Sequence, residues 1–175
     1  MGCSVSHGAT DAPTAISVVL PAEATPPNPC SLLITDQVSA ALGQQVSEGR
    51  SGPTLKPYGQ RVCVWRGGSG MVTLTIETDA GMDAASQQGN GPHRDTVTAI
   101  YEASTPLTFD NVADIGDRAR LVNPGTSPSI FVLVGHTLVQ LAFSAGPGNG
   151  QMWLVALAGQ AAGALSASAT TTTGA

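Results

Sequence analysis

From Met71 to Thr78 the chain alternates, with Val72, Leu74 and Ile76 on one side and Thr73, Thr75 and Glu77 on the other. A period of two marks a strand with one face in a core and one toward solvent, as in an antiparallel sheet. Val62-Cys63-Val64-Trp65 reads as the strand before it, and Gly67-Gly68-Ser69-Gly70 supplies the backbone freedom of a hairpin between the two. Ser129 to Val134 and Thr137 to Phe143 form a second hairpin across Gly135-His136. Ala119 to Val122 is a further strand, entered through the turn Ile115-Gly116-Asp117. A helical period appears in three places. Ile34, Val38, Ala41 and Leu42 share one face of a short helix that Thr35 caps and Gly43 stops. Asp95 to Ala103 places Val97, Ile100 and Tyr101 inward before Pro106 ends it, and Gln151 to Leu165 is apolar on nearly every side, as a buried helix is. Asp79 to Pro92 reads as a polar loop. The order helix, two strands, helix, three strands, helix predicts a single α+β domain, an antiparallel sheet with helices packed on it.

The flanks have a different texture. Residues 1–27 hold Pro13, Pro21, Pro26 and Pro27 among small polar residues, interrupted by the apolar patch Ile16 to Leu20. Pro-rich segments stay extended, so 1–27 reads as an N-terminal anchor and spacer. The folded domain is expected at 28–165, and 166–175, with its run of threonines, reads as a disordered low-complexity tail.

Composition narrows the function classes. Charged residues are only 11% of the 175, against 42% hydrophobic, and the net charge is −5. Lys56 is the one lysine among seven basic residues, so no basic patch exists to drive phosphate contacts and no nucleic-acid partner is expected. The longest apolar run, Met152 to Leu165, is broken by Gly159, Gln160 and Gly163 and falls short of the roughly 18 residues of a membrane helix. Membrane attachment would have to come through the N-terminus.

That N-terminus, Met1-Gly2-Cys3-Ser4-Val5-Ser6, reads two ways. It fits N-myristoylation at Gly2 with a second acyl chain on Cys3. It also fits a bacterial lipoprotein after removal of its leader, with Cys3 the lipidated first residue and Met1 an added start residue. The other two cysteines bear on the choice. Cys30 lies at the start of the first helical segment and Cys63 in the first strand. They are either two separate buried thiols or a bridge between helix and sheet, contributing roughly 3–4 kcal/mol in the chain-entropy model. A structural disulfide belongs to an oxidising compartment, whereas N-myristoylation takes place in the reducing cytosol. A bridge therefore favours export and leaves Cys3 free to carry lipid.

Several stretches resemble one family. "NPCSLLITDQVSAALG" resembles the opening of a domain-of-unknown-function family of small actinobacterial cell-envelope lipoproteins of mycobacterial type, with its Pro-Cys-Ser-Leu-Leu start and Leu-Gly helix end. "CVWRGG" and the alternating strand after it resemble that family's second cysteine and first hairpin, and "VADIGDRA" its Gly-Asp-x-Ala turn. The resemblance spans about Asn28 to Leu165. It implies export, a Cys30–Cys63 disulfide and a lipid on Cys3 that holds the domain at the extracytoplasmic face of the cell membrane. It implies no established activity and no cofactor.

Candidate chemistry is sparse. His7, His93 and His136 are scattered, none beside another ligand at metal spacing, so no metal site is expected. Ser69 lacks the strand-to-helix elbow of a nucleophile. Asp110, Asp114 and Asp117 cluster in "DNVADIGD" without calcium-loop spacing, which favours a turn in which Asp117 accepts backbone N–H bonds. Gly146, Gly148 and Gly150 suggest a dinucleotide turn but miss its spacing, and Asn149 as a helix cap explains them. Trp65 and Trp153 are expected in the core. The sequence thus points to a non-enzymatic domain without catalytic residues that binds an envelope protein or a small envelope ligand. The rival is an extracytoplasmic hydrolase with a loop site around His93 and Asp114 or Asp117.

Overall fold

The computed structural model describes residues 26–52, 60–68, 70–87, 96–103, 109–122, 127–144 and 150–172. Two short helices come first, α1 (Pro29–Leu32) and α2 (Thr35–Leu42), then β1 (Arg50–Ser51), β2 (Arg61–Gly67) and β3 (Gly70–Thr78). Helices α3 (Asp79–Gln87) and α4 (Val97–Ala103) follow, then β4 (Phe109–Val112), β5 (Arg118–Val122), β6 (Ser129–Val134) and β7 (Thr137–Ser144), and finally α5 (Gly150–Thr172). The strands form one seven-stranded sheet in the order β1-β2-β3-β7-β6-β5-β4, antiparallel throughout. The fold is α+β, as the alternation predicts.

The chain builds this sheet as two meanders. β1, β2 and β3 run outward to inward; the chain then leaves the sheet for α3 and α4 and re-enters at the opposite edge. β4 to β7 march back until β7 zips against β3, from Met71 opposite Ser144 to Thr78 opposite Thr137. Both predicted hairpins are present, closed by the pairs Gly67 with Gly70 and Val134 with Thr137. Gly68 and Gly135 each sit in their turn at positive φ, +45° and +55°, where a side chain would be strained.

The alternation assigns the faces. Cys63 and Trp65, Val72, Leu74 and Ile76, Ile130 and Val132, and Val139, Leu141 and Phe143 all point to one side. There they pack with Leu32, Leu33 and Val38 near α1 and α2, and with Leu154, Leu157, Ala158, Ala161 and Leu165 of α5. Side chains of this class contribute roughly 1.5–3 kcal/mol each when fully buried, so this layer carries most of the stability. On the opposite side, Leu133 and Leu138 are covered by Met82 of α3 and Val97 and Tyr101 of α4.

The structure departs from the sequence reading at several places, among them the short edge strand β1, which no local pattern announces, and Ile34, which is 57% exposed rather than on the packed face of α2. Asp79–Gln87 is a helix rather than a polar loop; Thr78 Oγ1 accepts the Gly81 N–H at 3.0 Å, and burial of Met82 holds the helix on the sheet. Phe109–Val112, read as part of a turn, is the edge strand β4, whose Asp110 and Asn111 are exposed. The N-cap of α2 is Ile34, not Thr35; the Gln37 side chain reaches back to accept the Ile34 N–H at 2.9 Å. The last helix continues past Leu165 to Thr172, through residues where a disordered tail is expected; Ala167 favours helix, and the Ser166 and Ser168 hydroxyls donate to the Ala162 and Ala164 carbonyls at 3.0 and 2.8 Å instead of to water. The Cys30–Cys63 disulfide is present, with Cα atoms 5.2 Å apart and 33 residues of separation, and ties α1 to β2.

Candidate functional site

Helices α3 and α4 cover only one end of the sheet's second face. Toward the other end the floor is Met71, Thr73 and Thr75 of β3, Gln140, Ala142 and Ser144 of β7, and Ser129 of β6. With Ser127 at the rim they enclose a shallow groove of about 380 Å³. The same period of two that buries Val72, Leu74 and Ile76 lifts the threonines into this groove. None of these lining side chains carries a charge; most offer a hydroxyl or amide, yet more of the surface they expose is apolar than polar. Such a floor can pack an apolar surface and hydrogen-bond a neutral ligand or a peptide at its hydroxyl and amide groups, and it offers no opposite charge to an ion.

The groove's neighbour across β6 is a charged cluster. Arg120 lies between two aromatic rings, 4.4 Å over Tyr101 and 4.6 Å over Phe109. Its Nη1 donates to the Tyr101 carbonyl at 3.1 Å and its Nη2 to Glu102 Oε2 at 3.0 Å. Arg118 also pairs with Glu102 and lies 5.2 Å from the Tyr101 ring. A guanidinium suits this sandwich because its planar face stacks while its edge donates. The cluster pins α4 to β5.

Its electrostatics give a pH dependence. The hydrogen bond from Arg120, with the nearby Arg118 charge adding to it against some desolvation, holds the Glu102 carboxyl below the ordinary carboxylate range. Burial raises the Tyr101 phenol, with the two arginines opposing. A carboxyl depressed in the folded state stabilises above its unfolded pKa, and that contribution is lost as pH falls through the folded pKa. Stability should therefore decline on acidification below the ordinary glutamate range. Glu102→Gln should flatten that part of a denaturation-against-pH curve, and an unchanged curve would show the pair to be inert.

A second concavity lies on the helix side of the sheet near its β1 edge. Cys30, Leu33, Ile34, Thr35, Asp36, Glu48, Gly49 and Trp65 line a cleft of about 410 Å³. Trp65 is only 1% exposed and forms its floor, as the sequence predicts for a core residue. Trp153 is partly buried and meets Phe143 edge-on, ring centroids 4.6 Å apart.

Of the residues singled out by sequence, Cys3, His7, Ser69, His93, Gly146, Gly148 and Asn149 lie outside the described residues. Asp117 does what the turn reading expects, accepting the Gly135 N–H at 2.6 Å. Asp114 is exposed at φ +61°, and Asp110 is exposed on β4. The structure does not bring these aspartates to a common centre, and no cluster of three or more metal-ligating side chains occurs among the described residues.

His136 has a partner that the sequence does not reveal. Its Nδ1 lies 2.7 Å from Asp79 Oδ2, while Asp79 Oδ1 accepts the Val97 N–H at 2.6 Å and Asp79 N donates to the His136 carbonyl at 3.2 Å. One carboxylate thereby joins the β6–β7 turn, the end of β3 and the start of α4. A histidine oriented by an aspartate has two parts of a nucleophilic triad, yet no serine, threonine or cysteine among the described residues hydrogen-bonds to the ring. The imidazole is 92% exposed, which suits a surface joint better than a cleft base. The only sequence hint of this joint is a Thr-Asp pair at a strand end.

No family model matches the chain, and no curated protein or solved structure matches it.

Proposed function

We propose that this is an exported cell-envelope domain, held by lipid on Cys3 at the extracytoplasmic face of the membrane, that binds a partner or small ligand. The observation that carries this reading is the Cys30–Cys63 bridge. With two of the three cysteines in a structural disulfide, the oxidising-compartment reading of the N-terminus is favoured, and Cys3 is the thiol that remains for acylation. Among the described residues no helix is long and apolar enough to cross a membrane, so the lipid does the anchoring in this reading. Two or more acyl chains on one residue provide stable attachment where a single myristoyl chain gives only marginal binding. The resemblance of "NPCSLL" and "CVWRGG" to actinobacterial envelope lipoproteins points the same way.

For binding, the natural seat is the groove floored by β3, β7 and β6. Its uncharged floor, more apolar than polar and set with hydroxyl and amide groups, suits a neutral amphipathic ligand, and the net negative charge disfavours nucleic acid. The test of the tether is fractionation. Expressed in an actinobacterial host behind a lipoprotein leader ending at Gly2, the protein should sediment with membranes and partition into detergent. Cys3→Ser should release a folded, soluble domain into the medium. A Cys3→Ser protein that stays with the membrane would mean that a different anchor operates.

A further inference from the structure

The bridge is asymmetric. Cys63 is 0% exposed among core residues, whereas Cys30 is partly exposed and lines the 410 Å³ cleft. The segment 46–49 crosses over the buried half. Ser47 N donates to the Arg66 carbonyl at 2.7 Å, Arg66 N donates to Ser47 Oγ at 3.1 Å, and Val46 N donates to Ser39 Oγ at 3.2 Å. The strap is so close that a Cβ on Gly49 would lie 3.0 Å from Cys63 Sγ and 2.5 Å from the Trp65 indole nitrogen. That leaves no room for a sulfur between strap and Cys63.

Thiol–disulfide exchange needs the attacking thiolate in line with the bond that breaks. Attack on Cys63 would come from within the core, through the side chains packed around it. Attack on Cys30, with Cys63 leaving, would come from the Cys30 side of the bond, where the cleft lies. Leaving-group chemistry argues the other way, since the thiolate expelled from Cys63 is buried and poorly solvated. Access decides here: an unfavourable leaving group slows a step, whereas a blocked trajectory prevents it.

The geometry points to Cys30 as a modification site at which a small external thiol forms a mixed disulfide without the domain unfolding. The reaction is R–SH plus Cys30–S–S–Cys63 giving R–S–S–Cys30 plus Cys63–SH. The new S–S bond forms at Cys30, the old one breaks, and the proton lost by the incoming thiol ends on Cys63. No net oxidant is consumed. Asp36 and Glu48 at the cleft select the thiol: neutral or cationic species enter and anionic ones are repelled. Exchange would uncouple α1 from β2 and leave the added group in the cleft, a redox-sensitive connection independent of the groove on the other face.

The test uses the full chain, with Cys3 first blocked by iodoacetamide under native conditions. Cysteamine with cystamine is added without denaturant, free thiols are trapped with N-ethylmaleimide after an acid quench, and singly modified protein is mapped by mass spectrometry. Cysteamine should sit on Cys30 and maleimide on Cys63. At low ionic strength cysteamine should react about fivefold faster than 2-mercaptoethanesulfonate after correction for thiolate fraction, given two carboxylates within a Debye length. In the Asp36→Asn, Glu48→Gln protein that gap should close. Cysteamine on Cys63, no adduct in the folded protein, or a rate that follows global unfolding across a urea series would each overturn the assignment. Equal rates for the two thiols in the unsubstituted chain would overturn the selection by charge.

Discussion

Replacing both Cys30 and Cys63 by alanine should lower the unfolding free energy by roughly 3–4 kcal/mol. The bridge closes a loop of 33 residues and joins the first helix to the second strand, so its removal returns conformational freedom mainly to the unfolded chain. A domain of this size has only about 5–15 kcal/mol to lose, and the variant should unfold at a visibly lower urea midpoint with a similar or larger slope. The strand pairing of β2 with β3 does not depend on the sulfurs, so the circular dichroism of the folded variant should be unchanged. A loss well under 1 kcal/mol would mean that α1 is held by packing alone.

The second large effect is expected at Trp65. Its ring is buried beneath the strap at Gly49 and pairs across the hairpin with Val72, so truncation to alanine empties a site that backbone on one side and sheet on the other prevent from collapsing. Large-to-small substitutions of this kind cost about 3–5 kcal/mol. The adjoining cleft lets water in, which should put the value toward the lower end. Trp65 and Cys63 lie on the same face two positions apart, so their effects should not add; a double-mutant cycle should return a coupling of about 0.5–3 kcal/mol. A Trp65→Ala protein within 1 kcal/mol of the parent would place the core's weight elsewhere.

The parts of this fold legible in the sequence are those written in side-chain period. The run from Val72 to Ile76 announces a strand and the face it buries, and the two glycine turns announce their hairpins. The parts that are not legible depend on contacts between distant segments. Helix α3 is weakly hydrophobic, with Met82 and Ala84 its buried apolar side chains among the described residues, and what holds it is Met82 in the cluster with Leu133 and Leu138. Strand β4 shows polar residues because an edge strand is paired on one side only, and its identity comes from β5 beside it. Thr35 carries the residue type of a cap, but the chain enters the helix one residue earlier and Gln37 does the capping. The outward side of Thr73 and Thr75 is legible in the alternation, yet that α3 and α4 pack beside these threonines and not over them is a matter of topology that no local pattern encodes. Arg120 between Tyr101 and Phe109 ties together three successive elements through side-chain geometry that no period announces, and Asp79 with His136 joins positions far apart in sequence.

The export reading turns on one residue, and the mass of the N-terminal peptide tests it most directly. In protein isolated from membranes of an actinobacterial host that carries it behind a lipoprotein leader, the mature chain should begin at Cys3 with diacylglycerol in thioether linkage. Cys30 and Cys63 should be found bridged and unreactive to alkylation in the same sample. An unmodified Cys3, or reduced Cys30 and Cys63 in the same sample, would contradict the account.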